Sequence, residues 1–151
     1  MEPGERVERR RRADDRDAAA GAGGGAAGPL GEIKERYHRL AEALAARQLP
    51  DGLWPTVLDR ADFYAETSGS AGIACGLIKA ARMGLVPASL AGAAAKAVPA
   101  VAAQIRADGA VAGVSGDTPM LASIDAYGEV PRFPTLYGQG LTLLLAEALK
   151  P

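Results

Sequence analysis

Asp51–Gly84 reads DGLWPTVLDRADFYAETSGSAGIACGLIKAARMG, and it holds the only tryptophan, Trp54, and the only cysteine, Cys75. Its two halves have different grammars. Asp51-Gly52 is a turn signal, and the run through Tyr64 has no helical period, so it predicts an irregular, half-extended loop. Pro55 restricts Trp54 to extended backbone. From Ser68 onward the pattern changes. Ser68 and Ser70 are both good N-caps, because a serine oxygen accepts from the unpaired N–H groups of a first helical turn. Ile73, Leu77 and Ala80 or Ala81 then recur at helical spacing. Lys79 and Arg82 suit the negative end of the helix dipole, and Gly84 is a natural C′ residue ahead of Pro87. A polar loop carrying Trp54 and Glu66 thus feeds a small-residue helix. That arrangement suits the rim of a cavity walled by helix ends.

The same grammar extends outward. Upstream, Pro29–Gln48 predicts a helix with Ile33, Tyr37, Leu40, Ala41 and Leu44 on one face. Downstream, Ala88–Arg106 predicts a second small-residue helix that pairs back after the turn at Gly84–Pro87, giving an αα-hairpin. Pro99 lies inside it and predicts a kink or a break. Ala110–Thr118 alternates valines with small residues, as a short extended ribbon does. Pro119–Pro134 is irregular, and Gln139–Leu149 predicts a last helix with Tyr137-Gly138-Gln139-Gly140 at its start. Strand signals are sparse, so the fold class is all-α, about four helices in antiparallel hairpins.

Composition excludes several function classes. The 151 residues carry a net charge of −1, so no global field recruits nucleic acid or an anionic membrane. One cysteine forms no internal disulfide, which points to a reducing, cytoplasmic setting. The single histidine, His38, has no second His or Cys near it, so no metal or cofactor is expected. Gly113–Thr118 has the look of a phosphate loop but lacks its lysine, which argues against nucleotide binding. No apolar run reaches the length of a membrane span. Cys75 lies mid-helix between Ala74 and Gly76 and reads as a small buried residue, not a nucleophile.

The order of several motifs adds a resemblance. G-L-W-x-x-V-L-D at Gly52–Asp59, E-T-S-G-S-A at Glu66–Ala71, a helix ending R-M-G-L, Asp108-Gly109, G-V-S-G-D-T at Gly113–Thr118 and Y-G-Q-G-L at Tyr137–Leu141 follow one another. Together they resemble the C-terminal part of glycoside hydrolase families 88 and 105, the unsaturated rhamnogalacturonyl and glucuronyl hydrolases, over roughly Pro29–Leu149. The resemblance implies that residues 29–151 are about the last third of an (α/α)6 toroid. It implies removal of 4,5-unsaturated uronic acid from oligosaccharides made by polysaccharide lyases, by hydration of the enol ether. The family's essential acid is an aspartate in the half that nothing here matches, so no catalytic residue is assigned. The expected contributors to a substrate cavity are Trp54, Glu66, Ser68, Ser70, Ser115, Tyr137 and Gln139. Each has a plainer reading. Trp54 is either a plug under the helix ends or a flat wall for a sugar ring. Glu66 either complements a helix dipole or accepts from a substrate hydroxyl. Ser68 and Ser70 either cap or touch ligand. Backbone N–H groups at Tyr137–Gly140 can meet a carboxylate, although Tyr137 stands where the family often has histidine. A third of a toroid also has open apolar flanks, which predict self-association.

Residues 1–28 read differently. They contain six Arg, six Asp or Glu and then AAAGAGGGAAG, with Val7 as the only sizeable aliphatic residue, so they cannot bury enough apolar surface to order the chain. The basic run Arg9–Arg12 is offset by acidic neighbours and has no interleaved aromatics, which argues against a nucleic-acid arm. Shifted forward by one base, codons for Met1–Glu8 permit the peptide W-N-R-G-N-G-W. The resembled family carries W-x-R-G-N-G-W shortly before the segment matched here, which implies an out-of-frame tail and a start upstream.

Overall fold

The computed structural model describes residues 28–151. Helix α1 is Pro29–Ala45, and the boundary between two units of the chain falls inside it, between Glu35 and Arg36. The tail expected at residues 1–28 lies outside the described residues apart from Gly28. The remaining elements belong to the second unit. They are β1 at Trp54–Pro55, β2 at Ala65–Glu66, α2 at Thr67–Arg82, α3 at Ala91–Ala102 and α4 at Leu136–Ala148. Two 3-10 turns, Ala88–Leu90 and Asp125–Glu129, join them.

Helix α2 is the centre of the unit and packs against both α3 and α4. Small residues make this close approach feasible. Ala71, Ala74, Leu77 and Ala80 of α2, Ala94, Ala97 and Val101 of α3, and Leu145 and Ala148 of α4 form one buried cluster. On another side, the Tyr37 hydroxyl of α1 donates to the Gly76 carbonyl at 3.2 Å. The predicted αα-hairpin is therefore present as α2–α3. Gly84 closes α2 at φ +65°, the left-handed conformation that a C′ glycine supplies.

Three expectations need correction. The helix predicted from Ala88 begins with a 3-10 turn and does not break at Pro99, which sits inside α3. That proline lies three residues before the helix end, where Ala103 N–H still reaches the Pro99 carbonyl at 3.0 Å. The all-α class is incomplete, because β1 and β2 form a short antiparallel ribbon that places Trp54 opposite Glu66. Pro55 enforces extended backbone at Trp54, and Thr56 N–H continues the pairing to the Tyr64 carbonyl at 3.0 Å. Finally, α4 starts at Leu136, capped by Thr135, whose hydroxyl accepts from Gly138 N–H at 3.0 Å. Tyr137–Gly140 is thus helical. The carboxylate cradle expected there is largely closed, since Gly138 N–H is bound to Thr135 Oγ1 and Gln139 N–H reaches the Thr135 carbonyl.

Candidate functional site

The ribbon delivers Glu66 to the start of α2, and Glu66, not a serine, is the N-cap. Its Oε2 accepts from Gly69 N–H at 2.5 Å. The Ser68 hydroxyl donates to the same carboxylate at 2.8 and 3.0 Å. Oε1 also accepts from Ser115 N–H at 2.9 Å, which draws in a loop 49 residues away in sequence. This overturns the expected serine caps. Glu66 is only 8% exposed, and its longer side chain closes the first turn and anchors the loop together. Ser70 faces the other way. Its hydroxyl donates to the Glu66 carbonyl at 2.7 Å and accepts from Trp54 N–H at 2.8 Å, so it ties helix to ribbon.

Ser115 is the meeting point of these ties. Its N–H goes to Glu66, and its hydroxyl pairs with the Tyr64 hydroxyl at 2.8 Å. Its carbonyl accepts from the Tyr137 hydroxyl, which also donates to the Gly116 carbonyl at 3.1 Å. Gly113 makes this approach feasible. It has φ +67°, and a Cβ there would come within 2.6 Å of Thr67 Oγ1.

A cavity of about 350 Å³ opens between these elements, a size at the lower end of small-molecule sites. Trp54, Glu66, Ser70 and Ser115 line it, with Ile73, Leu58, Thr118 and Tyr127. Four of the seven predicted residues therefore share one cavity. Ser68 and Tyr137 do not line it but hold two that do, Glu66 and Ser115. Gln139 stands apart. Its amide donates to the Gly109 carbonyl at 3.1 Å and its Oε1 accepts from Val111 N–H at 2.6 Å, so it fastens a different loop. The Trp54 ring is 1% exposed and its Nε1 donates to the Leu44 carbonyl at 2.6 Å, so its geometry is that of a packed floor plug.

Sequence reading missed Tyr64 and Tyr127, aromatics in loops where no periodicity marks them. It also missed Arg60. That guanidinium bonds Asp62 at 2.9 and 2.8 Å and Asp125 at 3.0 Å, and it lies 4.6 Å over the Phe63 ring. It joins the loop after β1 to the turn that carries Tyr127. The hydrogen bond from Arg60 holds the Asp62 carboxyl below the usual carboxylate range. Among the described residues no group of three or more His, Cys, Asp or Glu is placed to hold a metal. No described helix is long and apolar enough to cross a membrane.

Residues 30–150 match the model of Glycosyl Hydrolase Family 88. The chain belongs to this family. The unsaturated rhamnogalacturonyl hydrolase YesR of Bacillus subtilis is 36% identical to it over 110 residues, which is 72% of this chain and 30% of that protein. A solved structure described as a possible member of the GH105 family from Klebsiella pneumoniae superposes with a TM-score of 0.77 at 31% identity, covering 82% of this chain and 33% of that one. A second such structure, from Salmonella enterica, gives a TM-score of 0.75 at 32% identity, covering 78% and 31%. The chain thus spans about a third of the length of these relatives.

Proposed function

We propose that this chain supplies a substrate-binding wall of a hydrolase that removes 4,5-unsaturated uronic acid residues from lyase-generated oligosaccharides. In the proposed reaction an acid protonates the enol-ether double bond, water adds to the resulting cation, and the hemiketal collapses to release the sugar chain. No residue described here is assigned as that acid. Glu66, the charged group of the cavity lining, accepts hydrogen bonds from Gly69, Ser68 and Ser115 and serves as an anchor. The observation that carries the reading is the cavity itself. Its polar lining, Ser70 and Ser115 beside Glu66, stands over the Trp54 floor in a chain of this family. Ser68 and Tyr137 support that lining, and Gln139 contributes only through the neighbouring loop. In the same reading residues 29–151 form the C-terminal portion of an (α/α)6 toroid in a cytoplasmic enzyme.

A second reading, a helical interaction module without catalysis, is favoured by the outer face of α4. Leu136 is 92% exposed and Leu143 70% exposed. One experiment addresses both readings. Titration of the isotope-labelled chain with a lyase-generated unsaturated disaccharide should move the amide signals of Gly69, Ser70 and Ser115, without loss of the substrate's ultraviolet absorbance. Clear turnover would show that the chain holds its own acid. No amide movement at those three positions would remove the wall reading and leave the interaction module.

A further inference from the structure

The cavity lining offers an anionic sugar no cation, yet a cation stands one residue behind it. Segment 131–133 is laced to 114–116. Gly116 N–H donates to the Pro131 carbonyl at 2.7 Å, and Phe133 N–H donates to the Val114 carbonyl at 2.9 Å. Between these bonds Arg132 and Ser115 oppose each other as an antiparallel bridge pair. The Arg132 guanidinium lies 4.6 Å over the ring of Tyr64, whose hydroxyl holds the Ser115 hydroxyl at the cavity. A contact through the ring face positions a guanidinium without using any of its N–H donors.

Other arginines in this part of the chain are engaged differently. Arg60 uses three nitrogens on Asp62 and Asp125, and Arg47 uses its nitrogens on Asp59 and the Ala43 carbonyl. Among the described residues Arg132 has no carboxylate within ion-pair distance and no protein acceptor for its N–H groups. The result is an arginine held at its backbone by the pairing and at its guanidinium by the Tyr64 ring, with its planar donor fork free. Such a fork suits a carboxylate, which it can bind through two parallel N–H bonds. Glu66 forms no ion pair with it and instead accepts from Gly69, Ser68 and Ser115.

We infer that Arg132 is the residue by which this cavity selects an anionic sugar, binding the ligand's carboxylate at the rim beside Ser115. The inference rests on the carbohydrate reading above. It is tested by calorimetric titration of the full chain with two probes, the unsaturated uronyl disaccharide and its carboxyl-reduced counterpart, in which the acid has become a primary alcohol. The wild-type chain is expected to bind the acid about tenfold or more tightly than the reduced sugar, as a charge-assisted pair requires. Arg132→Met should abolish that preference while leaving the affinity for the reduced sugar unchanged, and Arg132→Lys should restore part of it. The reduced sugar is the internal control for folding. A variant that lost both ligands in equal measure would show that Arg132 acts only by supporting Tyr64, and the inference would fail. Equal wild-type affinity for the two probes would overturn the inference and leave the carbohydrate site standing. Wild-type binding of neither probe would overturn the site and the inference together.

Discussion

Replacing Glu66 separates two contributions that one carboxylate makes. The first is the helix cap, through Gly69 N–H. The second is the anchor to Ser115 N–H across the fold. Loss of an N-cap costs about 1 kcal/mol. Loss of a hydrogen bond to a buried charged group costs about 2 kcal/mol, because the Ser115 donor is left without its partner. Glu66→Ala should therefore destabilise the chain by about 3 kcal/mol, a large part of the roughly 5–15 kcal/mol that holds a domain folded. Glu66→Asp discriminates between the contributions. Aspartate is a good cap but one methylene shorter, so it should keep the bond to Gly69, lose Ser115, and cost about 2 kcal/mol. Urea unfolding followed by the fluorescence of Trp54, the only tryptophan and a buried one, measures the totals. Amide exchange assigns them. Ser115 N–H should lose protection in both variants, and Gly69 N–H only in the alanine variant. Unchanged Ser115 protection in Glu66→Ala, or equal destabilisation by Asp and Ala, would refute the division of labour.

Two further outcomes follow from exposed groups. The paired substitution Leu136→Ser and Leu143→Ser should reduce concentration-dependent association in sedimentation velocity while changing stability by no more than about 0.5 kcal/mol at each site, since both side chains are largely in solvent. A wild-type chain that stays monomeric at high concentration would remove the basis for this. The Asp62 carboxyl is held below its ordinary value of 3.8 chiefly by Arg60, so its titration by carbon-detected NMR should show a lowered midpoint that rises toward the ordinary range in Arg60→Ala. A carboxyl with a depressed folded-state value stabilises above its unfolded value. That contribution fades as pH falls through the lower folded value, so the Arg60–Asp62 contact should weaken only in strong acid, and sooner in salt because it is exposed.

How far the sequence could be read depended on the range of the interactions involved. Helix α2 and its end at Gly84 were legible, because periodicity, terminal cations and a C′ glycine are local signals. The cap was not. In Glu66-Thr67-Ser68-Gly69-Ser70 several oxygens compete for the same N–H groups, and local preference selects serine. The contact that decides the matter, Ser115 N–H, lies 49 residues away. The start of α4 shifted for a related reason. The sequence reading began this helix at Gln139, with Tyr137–Gly140 at its start, but Thr135 caps from outside that run. Gln139, helical in either case, bonds the loop at Gly109–Val111 and does not line the cavity. The cavity residues that were legible, Trp54, Glu66, Ser70 and Ser115, sit in motifs whose order marked the family. Tyr64, Tyr127 and Arg132 sit in loops, where the partner is set by the folded path of the chain and by nothing in the neighbouring residues.

The hydrogen bonding also limits what the cavity can recognise. Ser70 is fully buried, and its hydroxyl donates to the Glu66 carbonyl and accepts from Trp54 N–H, so it shapes the wall without a free proton for a guest. Glu66 is an acceptor already supplied with donors by Gly69, Ser68 and Ser115. Between Tyr64 and Ser115 one proton is shared, which leaves one hydroxyl proton for a guest whichever residue donates. A wall of this kind favours ligands rich in hydroxyl donors and disfavours a carboxylate pressed against Glu66. On the carbohydrate reading proposed above, a sugar acid would turn its acid group away from Glu66 and outward to Arg132. Reversing the rim charge with Arg132→Glu should then weaken the uronyl disaccharide more than Arg132→Met does, while leaving the carboxyl-reduced sugar unaffected. Equal behaviour of the two variants toward the acid would show that the carboxylate lies elsewhere.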